Sequence, residues 1–336
     1  MPSVSVLRSR IAACVFATLA CAVHMGNAAA ADLAHAAVEP GELQMGMNPW
    51  IGYGPWIIAE QKGLFRKNGL NDVKLVNFNE DKDRLAAFAS GQIDFMNLPA
   101  HGALQLIESG IPLKVVLLLD FSLAADAIVA DNVKSVADLK GKQVAYEESS
   151  TSDLLLNHAL AKNGMTLADI ERVPMPAAQA GSALVAGRVP VAVTYEPYLS
   201  AAMAQNKNAR LIYTAGEAPG LISDVLVVSD KALREKPGQI MALIKSWKDA
   251  MAAYNQDVKA GRAMIAKGVG SPVEELETAF NGVQFYDVQQ NKASLAGDFG
   301  AKTLPEVDEA AVLSKILQAK VPTQGVVDDQ FVQAVP

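Results

Sequence analysis

Cysteine is almost absent from this chain. Its only two cysteines, Cys14 and Cys21, both lie within the first thirty residues. If that segment is removed as a targeting sequence, the mature protein has no thiol, no disulfide and no cysteine-ligated metal site. Enzymes that depend on a cysteine nucleophile or a cysteine-bound iron site are therefore excluded as models for the mature protein.

Basic residues are also fewer than acidic residues. The chain has 29 Lys and Arg residues against 36 Asp and Glu residues, which gives a net charge of −7 and a pI near 5.2. This balance argues against binding to nucleic acid and against a basic membrane-surface patch. After the first thirty residues, no apolar run reaches the roughly 20 residues that a membrane-spanning helix needs.

Signatures of catalysis are missing as well. The sequence contains no Gly-rich phosphate loop and no Gly-x-Ser-x-Gly nucleophile elbow. Of the four histidines, His24 and His35 precede the first predicted strand, and His101 and His158 fall within predicted helices. We therefore expect a binding protein with no turnover, no metal and no cofactor.

The N-terminus has the organisation of a secretory signal. Arg8 and Arg10 precede an apolar segment at 11–23, and small residues follow at 27–32. This order of basic, apolar and small residues is typical of a signal peptide. We predict a cleaved signal over residues 1–30, with cleavage near 29–31, and a periplasmic mature protein.

A lipoprotein anchor is the competing interpretation of the N-terminus. Cys14 follows a lipobox-like sequence, but it comes before the apolar segment instead of after it. Cys21 is better placed, but it lacks the usual branched residue three positions earlier. The soluble exported form fits the sequence better.

Alternating strand-like and helix-like runs fill the rest of the chain. Its 336 residues, 51% of them apolar, are enough for one large domain or two. The alternation covers 43–119 and resumes over 143–213, which predicts an α/β fold with two units. A helical block after residue 232, including helices predicted at 272–281 and 306–319, indicates a return to the first unit. The hinge is then expected near 127–131 and 223–229.

The segment at 47–63, with the sequence MNPWIGYGPWIIAEQKG, joins the first strand to the first helix. A strand that turns directly into a helix leaves the first N–H groups of that helix facing the loop, where a polar or anionic group can bind. On this segment alone, a tight turn with buried aromatic side chains is the better interpretation. Its role depends on what the other strand ends bring near it.

Six motifs follow one another in a recognisable order. They are Trp50-x-Gly52-Tyr53-x-Pro55, Ala59-x-x-x-Gly63-Leu64-Phe65, Leu85-x-x-Phe88-x-x-Gly91-x-Ile93-Asp94, Ser135-x-x-Asp138-Leu139-x-Gly141-Lys142-x-Val144-Ala145, Thr194-x-Glu196-Pro197-Tyr198 and Ser223-Asp224-Val225-Leu226-Val227-Val228. Over residues 43–319 the chain resembles the periplasmic solute-binding proteins of the nitrate/sulfonate/taurine class of ABC transporters (SsuA/THI5-like). Within that class it is most similar to the group found with urea carboxylase and guanidine metabolism.

The resemblance implies a type II periplasmic-binding-protein fold. Two α/β lobes are expected, lobe I at 43–128 plus 227–319 and lobe II at 129–225, with the ligand in the cleft between them. The implied protein is a monomer that hands a small nitrogen- or sulfur-containing solute to an ABC permease in the inner membrane. Two enzymes share this fold, one of pyrimidine-precursor synthesis and one a desulfinase-like hydrolase. Both depend on cysteine, which the mature chain lacks.

Ligands of open α/β sheets bind beyond the carboxyl ends of the strands. Applied to the predicted strands, this rule gives the candidate ligand-binding residues Trp50, Tyr53, Asn97, Asp120, Ser122, Glu147, Ser149, Ser150, Thr151, Glu196 and Asp224. Structural roles remain open for several of them: one aromatic residue in the core, Asn97 or a hydroxyl as a helix cap, and Glu196 or Asp224 as a brace of the hinge.

The charge of this candidate set points to a ligand class. It includes several acids and no Arg or Lys, whereas a site for sulfonate or nitrate is expected to offer a cation or several free N–H groups. An acidic, aromatic cleft suits a cation or an amide better. We therefore expect a guanidine-, urea- or amine-like solute first, and a sulfonate, taurine or nitrate second.

Overall fold

The strands of this protein form two separate sheets. The computed structural model describes residues 33–277 and 279–336, so the predicted signal peptide at 1–30 lies outside the described residues. The strands are β1 Leu43–Met47, β2 Val73–Asn77, β3 Phe95–Pro99, β4 Leu113–Ser122, β5 Asp126–Asp131, β6 Gln143–Tyr146, β7 Glu171–Pro174, β8 Val191–Tyr195, β9 Ala209–Thr214, β10 Ser223–Ser229 and β11 Val283–Phe285.

Helices connect most of these strands. They are α1 Gly54–Gln61, α2 Leu64–Lys67, α3 Asp81–Ala89, α4 Ala100–Glu108, α5 Thr151–Lys162, α6 Ala177–Val185, α7 Tyr198–Gln205, α8 Asp230–Glu235, α9 Pro237–Gln256, α10 Val258–Val269, α11 Val288–Ser294, α12 Leu304–Leu313 and α13 Gln330–Ala334. The predicted α/β class is confirmed, and the strands predicted at 43–47 and 143–146 have those bounds. Among the described residues, no helix is both long and apolar enough to cross a membrane.

The first sheet has the strand order β11-β4-β10-β3-β1-β2. Strand β1 pairs in parallel with β2 and β3, whereas β10 runs antiparallel between β3 and β4. Strands β3 and β4 are nearly continuous apolar runs because helices cover both faces of the sheet. We call the part of the chain that carries this sheet lobe I.

The second sheet has the strand order β7-β6-β8-β5-β9. Strand β6 pairs in parallel with β7 and β8, and β5 runs antiparallel to β8 and β9. We call the part of the chain that carries this sheet lobe II. The carboxyl ends of β1 and β3 in lobe I and of β6 and β8 in lobe II lead into the loops of one shared cleft.

The chain passes between the lobes at 123–125 and again at 215–222. The boundaries expected from the sequence, at 128/129 and near 226, fall inside β5 and β10. Both strands pair over their whole length, β5 from Asp126 opposite Tyr195 and β10 from Ser223 opposite Phe121, so neither strand is itself a crossing. The two crossings touch where the N–H of Gly216 donates to the carbonyl of Leu123.

Residues after 319 also belong to lobe I. Val115 in β4 pairs with the segment around Val327, accepting from the Asp328 N–H at 2.9 Å and donating to the Val326 carbonyl at 3.0 Å. Helix α12 ends six residues before the predicted position 319, and Lys315 just beyond it adopts a left-handed φ of 61° that stops helix propagation.

The helix predicted at 272–281 is wrong. The chain instead makes turns and a 3₁₀ segment, Ala279–Gly282, and then enters β11. Strand β11 pairs with β4 from Val283 opposite Ser122, and the carbonyl of Gly282 accepts from the N–H groups of Leu123 and Ala124. The sequence of this segment has a helical periodicity, but pairing of the chain with the edge of the sheet, beside the first crossing, determines its structure.

Two tryptophans fix the position of helix α1 behind the cleft. Trp56 on α1 packs against Trp247 on α9 with ring centroids 4.7 Å apart, and both side chains are fully buried. The Trp56 ring nitrogen donates to the Asn97 side-chain oxygen at 3.0 Å, which ties α1 to the end of β3. The loop that precedes α1 therefore rests on a rigid base.

Candidate ligand-binding site

The cleft between the lobes encloses a small cavity. Its walls come from the loops at the strand ends and are formed by Asn48, Trp50, Tyr53, Asn79, Asp81, Arg84, Pro99, Glu147, Ser150, Thr151, Ser152, Ala177, Tyr195, Ile222 and Asp224. The cavity volume of about 30 Å³ leaves room for about two waters. The lobes are thus nearly closed upon each other, and a larger solute requires them to separate.

The loop after β1 places two aromatic residues against two carboxyl groups. The Tyr53 hydroxyl donates to Asp224 Oδ1 at 2.5 Å, and the Trp50 ring nitrogen donates to Asp120 Oδ1 at 3.2 Å. Gly52 lies between them, and a Cβ at this position would collide with Asp120 and with the Trp50 ring nitrogen. The glycine is therefore needed for this close approach.

Asp120 and Asp224, which we call the acid pair, are register partners in the antiparallel ladder of β4 and β10. Their exposed fractions are 0% and 3%. Burial raises the pKa of Asp224 to about 7, although the Tyr53 hydrogen bond and the positive charge of Arg84 act in the opposite direction. Burial and the neighbouring Asp224 charge raise the pKa of Asp120 well above its usual range. The pair therefore resists carrying two negative charges.

A buried arginine, which the sequence did not suggest, also lines the cavity. Arg84 on α3 donates to the side-chain oxygen of Asn48 at 2.6 Å, to the carbonyl of Asn97 at 3.0 Å and to Asp81 Oδ1 at 2.7 Å. Only 1% of its surface is exposed. The expectation of a cleft without any cation is therefore wrong. The charge of Arg84 is nevertheless paired with Asp81, its neighbour on the same helix.

Glu147 connects the two lobes across the cleft. Its carboxylate accepts from the N–H of Asp81 at the start of α3 in lobe I, at 3.2 Å, and from the N–H of Ala177 at the start of α6 in lobe II, at 3.0 Å. A negative charge is favoured at a helix N-terminus. Glu147 thus occupies the N–H groups that an anionic solute would otherwise use.

The hydroxyl-bearing residues of the loop after β6 have different roles. Ser150 caps α5, since its side chain accepts from the Ser152 N–H at 3.1 Å, and it also donates to the Glu147 carbonyl at 2.8 Å. Thr151 and Ser152 contribute to the cavity wall. Ser149 lies outside the wall, where its carbonyl accepts from Gln105 of lobe I at 3.1 Å.

Six of the eleven residues predicted from the sequence line the cavity: Trp50, Tyr53, Glu147, Ser150, Thr151 and Asp224. Asp120 lies directly behind Trp50, and Asn97 supports Arg84 through its carbonyl. Ser122 braces the first crossing by accepting from the Asp126 N–H at 3.0 Å. Direct ligand contact by any of these residues stays a prediction.

Glu196 lies outside the cavity wall and caps helix α7. Its carboxylate accepts from the N–H of Ser200 at 3.0 Å and from the Ser200 hydroxyl at 2.9 Å. Its own N–H donates to the carbonyl of Ala125 in the first crossing at 2.9 Å. The structure therefore favours the hinge role that the sequence left open for this residue.

Several wall residues were missed, and a signal for some of them was present. The rule applied to the other strand ends also holds for β2, since the loop after it supplies Asn79 and the helix that follows begins at Asp81. Tyr195 ends β8 and meets Trp50 edge to face, with centroids 6.0 Å apart. Burial of Arg84 had no local signal, because arginine is ordinarily exposed and its partners come from three separate segments.

Asp126, at the first residue of β5, should make stability fall as pH rises. Burial, helped by the charges of Asp224 and Glu196, raises its pKa to about 8, whereas an unfolded Asp titrates near 4. Between these values the folded state binds more protons than the unfolded state, so the free energy of unfolding decreases with increasing pH. Asp126→Asn should therefore stabilise the protein by about 1–3 kcal/mol above about pH 8 and have little effect near pH 4.

Urea denaturation of both proteins at the two pH values measures this difference. Glu235→Gln, a change at an exposed site on α8, is the matched control and should leave stability unchanged. An equal effect of Asp126→Asn at both pH values would contradict the assignment.

Solved structures share this two-lobed architecture. The alkanesulfonate-binding protein SsuA from Xanthomonas axonopodis pv. citri, bound to MOPS, superimposes with a TM-score of 0.71 at 22% identity, covering 87% of this chain and 100% of that chain. The periplasmic nitrate-binding protein NrtA from Synechocystis PCC 6803 gives a TM-score of 0.70 at 19% identity, covering 89% and 87%. The fold is therefore that of the periplasmic binding proteins.

The family follows from the sequence comparison. The model of the family described as NMT1/THI5 like matches residues 50–258, which is more than half of the chain. The chain belongs to the NMT1/THI5-like family.

The curated relatives match either over part of the chain only or over most of it at lower identity. A provisionally named binding protein of Brucella abortus is 33% identical over 142 residues, covering 42% of this chain and 44% of its own length. The chain thus matches less than half of that relative. A provisionally named aliphatic sulfonates-binding protein of Bacillus subtilis is 23% identical over 300 residues, covering 87% of each chain.

An enzyme also has this fold. The desulfurization enzyme DSZB superimposes with a TM-score of 0.66 at 16% identity, covering 88% of this chain and 98% of that chain. The fold alone therefore does not separate binding from catalysis, and the decision rests on the residues of the cleft. Within 33–277 and 279–336, no group of three or more His, Cys, Asp or Glu side chains is arranged to hold a metal ion.

Proposed function

We propose that this protein is the extracytoplasmic solute-binding component of an ABC importer, located in the periplasm, and that it captures a small nitrogenous solute for an inner-membrane permease. The observation that carries the proposal is the cavity enclosed between two lobes, which are joined by two chain crossings, and walled by strand-end loops. Closure of such lobes around a ligand is a known trapping motion. The names of the binding proteins among the relatives and the solved neighbours support the same role. The proposed role is binding and release without turnover.

The charges in the cavity wall favour a positively charged or N–H-rich solute. One arginine faces three carboxyl groups, Asp81, Glu147 and Asp224. The arginine is paired with Asp81, and Glu147 occupies two helix N–H groups, so few donors remain for an anion. A cation instead finds a carboxyl group at Asp224 and aromatic side chains at Trp50, Tyr53 and Tyr195.

A sulfonate is the second candidate, and Arg84 is the observation that favours it. A relative from Bacillus subtilis is named for aliphatic sulfonates. If Asp81 turned away, Arg84 would offer two nitrogen donors to an oxyanion. The cavity as it stands has no room for an alkanesulfonate unless the lobes open.

Isothermal titration calorimetry of the secreted protein decides between these ligand classes. The panel consists of guanidinium, methylammonium, urea, taurine, ethanesulfonate and nitrate. We expect 1:1 binding of at least one nitrogen cation or amide, tighter than binding of every anion. Tight binding of a sulfonate alone would overturn the ligand class. If no solute of the panel binds, and a strain that lacks the gene takes up all of these solutes at the normal rate, the importer role is overturned.

A further inference from the structure

The acid pair, Asp120 and Asp224, lies at the inner side of the cleft: Asp224 lines the cavity, and Asp120 lies directly behind Trp50. Directly opposed residues in an antiparallel ladder have Cβ atoms about 5 Å apart. Both carboxyl groups are almost fully buried, so two negative charges at this spacing would repel strongly. One proton on the pair removes that repulsion while the cleft is empty.

Neutral groups, instead of a cation, contact the acid pair. The donors to it are the Tyr53 hydroxyl and the Trp50 ring nitrogen. The terminal nitrogens of Arg84 are bonded to Asn48, Asn97 and Asp81. In the described part of the chain, Asp120 Oδ2 is buried without a hydrogen-bond partner. This oxygen lies against Gly52 and outside the cavity wall. The pair therefore has no positively charged group among its direct contacts.

Other titratable groups surround the pair at longer range. Some of these groups act on the pair directly, and others act on Asp126, the next carboxyl group. They are Tyr53 from the loop after β1, Asp81 and Arg84 from α3, Asp126 from β5 and Glu196 after the end of β8. Of these, the carboxyl groups of Asp81 and Asp126 increase the tendency of the pair to hold a proton, whereas the Tyr53 hydrogen bond and the positive charge of Arg84 decrease it for Asp224. Glu196 acts on Asp126 and not on the pair itself.

We propose that a monocationic solute binds in exchange for the proton of the acid pair. The solute brings one positive charge into the cleft, the pair releases one proton to solvent, and the net charge of the cleft stays the same. This inference rests on the proposed function. It narrows the solute class, because a neutral amide such as urea cannot displace the proton and should bind more weakly than guanidinium of similar shape.

Calorimetry with guanidinium in two buffers of different ionisation enthalpy counts the protons released. At about pH 6 we expect release of about one proton per guanidinium bound. The association constant should rise about tenfold per pH unit while the pair is protonated and level off at higher pH. Urea should show no proton release.

Asp120→Asn separates this exchange from a general loss of charge. The variant keeps an oxygen acceptor for Trp50 and leaves Asp224 as the only acid of the pair. It should bind guanidinium at about pH 6 at least as tightly as the native protein. Its pH dependence should move to lower pH without vanishing, because the repulsion by Asp120 is gone but burial still raises the pKa of Asp224. Glu235→Gln, at an exposed site remote from the cleft, should keep the native pH dependence.

Each other outcome has a defined meaning. Guanidinium binding without proton release and without pH dependence overturns the exchange and leaves the proposed function intact, as does equally tight binding of urea. Proton uptake with tight binding of taurine or nitrate overturns the exchange and the cationic ligand class but not the importer role. Failure of every cation to bind overturns the exchange as well as the preference for nitrogenous cations.

Discussion

Asp224→Asn should weaken the binding of a guanidinium or ammonium solute about 100-fold, since removal of one partner of a buried charge pair commonly costs 2–5 kcal/mol. Asparagine has nearly the same shape and leaves an oxygen for the Tyr53 hydroxyl, so the cavity should keep its form. Titration calorimetry at pH 7 and above measures the loss.

The same substitution should affect stability in the opposite direction. Asp224 is buried beside Asp120, so near neutral pH the folded protein must hold a proton that an unfolded Asp releases, and Asp224→Asn removes that cost. We expect the melting temperature of Asp224→Asn to equal or exceed that of the native protein. Tyr53→Phe is the companion variant, because it removes the hydrogen bond to Asp224 but keeps the ring, and its loss of affinity should be smaller. Native affinity in a folded Asp224→Asn protein would show that this wall does not face the solute.

Arg84→Met should lower the free energy of unfolding by about 3–5 kcal/mol, the usual effect of breaking a buried ion pair from one side. Arg84 joins the loop after β1, the end of β3 and the start of α3 through its bonds to Asn48, Asn97 and Asp81. Methionine fills similar volume but leaves all three acceptors without this donor.

Urea denaturation measures this loss, and Arg66→Met at an exposed site on α2 is the matched control. Arg84→Lys should be intermediate, because a lysine keeps the charge but lacks the planar fork that contacts several acceptors at once. A loss below about 1 kcal/mol for Arg84→Met would contradict the structural role. Those Arg84→Met molecules that do fold also test the ligand class. They should still bind a cationic solute, whereas they should not bind a sulfonate.

Local sequence patterns located the elements better than they located the lobe boundaries. Strands β1 and β6 are short apolar runs bounded by turn formers, so their ends could be predicted closely. The crossings could not, because β5 and β10 look like ordinary strands and their membership in a sheet depends on partners more than sixty residues away, as for Asp126 and Tyr195. Strand β11 was missed for the same reason.

In the candidate site, too, residues set by local pattern could be predicted, whereas residues placed by distant partners could not. Tyr53, Glu147 and Asp224 follow from one rule, that strand-end loops meet in one place. Arg84 does not follow from it, because its burial requires three partners from separate segments. The cap that Glu196 makes with Ser200, four residues further on, was available locally, but a carboxylate at a strand end looked equally suited to a ligand.

Glu147 has a consequence for how tightly any solute can be held. Its two hydrogen bonds, to the start of α3 in lobe I and the start of α6 in lobe II, exist together only while the lobes are in contact. Because Glu147 itself belongs to lobe II, only its bond to the start of α3 spans the cleft, and this bond increases the fraction of empty molecules that are already closed. Apparent affinity equals intrinsic affinity multiplied by the competent fraction, and an open form is needed for entry. A stronger bond from this one carboxylate would slow capture of the solute and prolong its retention. A permease of the kind proposed above would then encounter closed molecules both with and without bound solute.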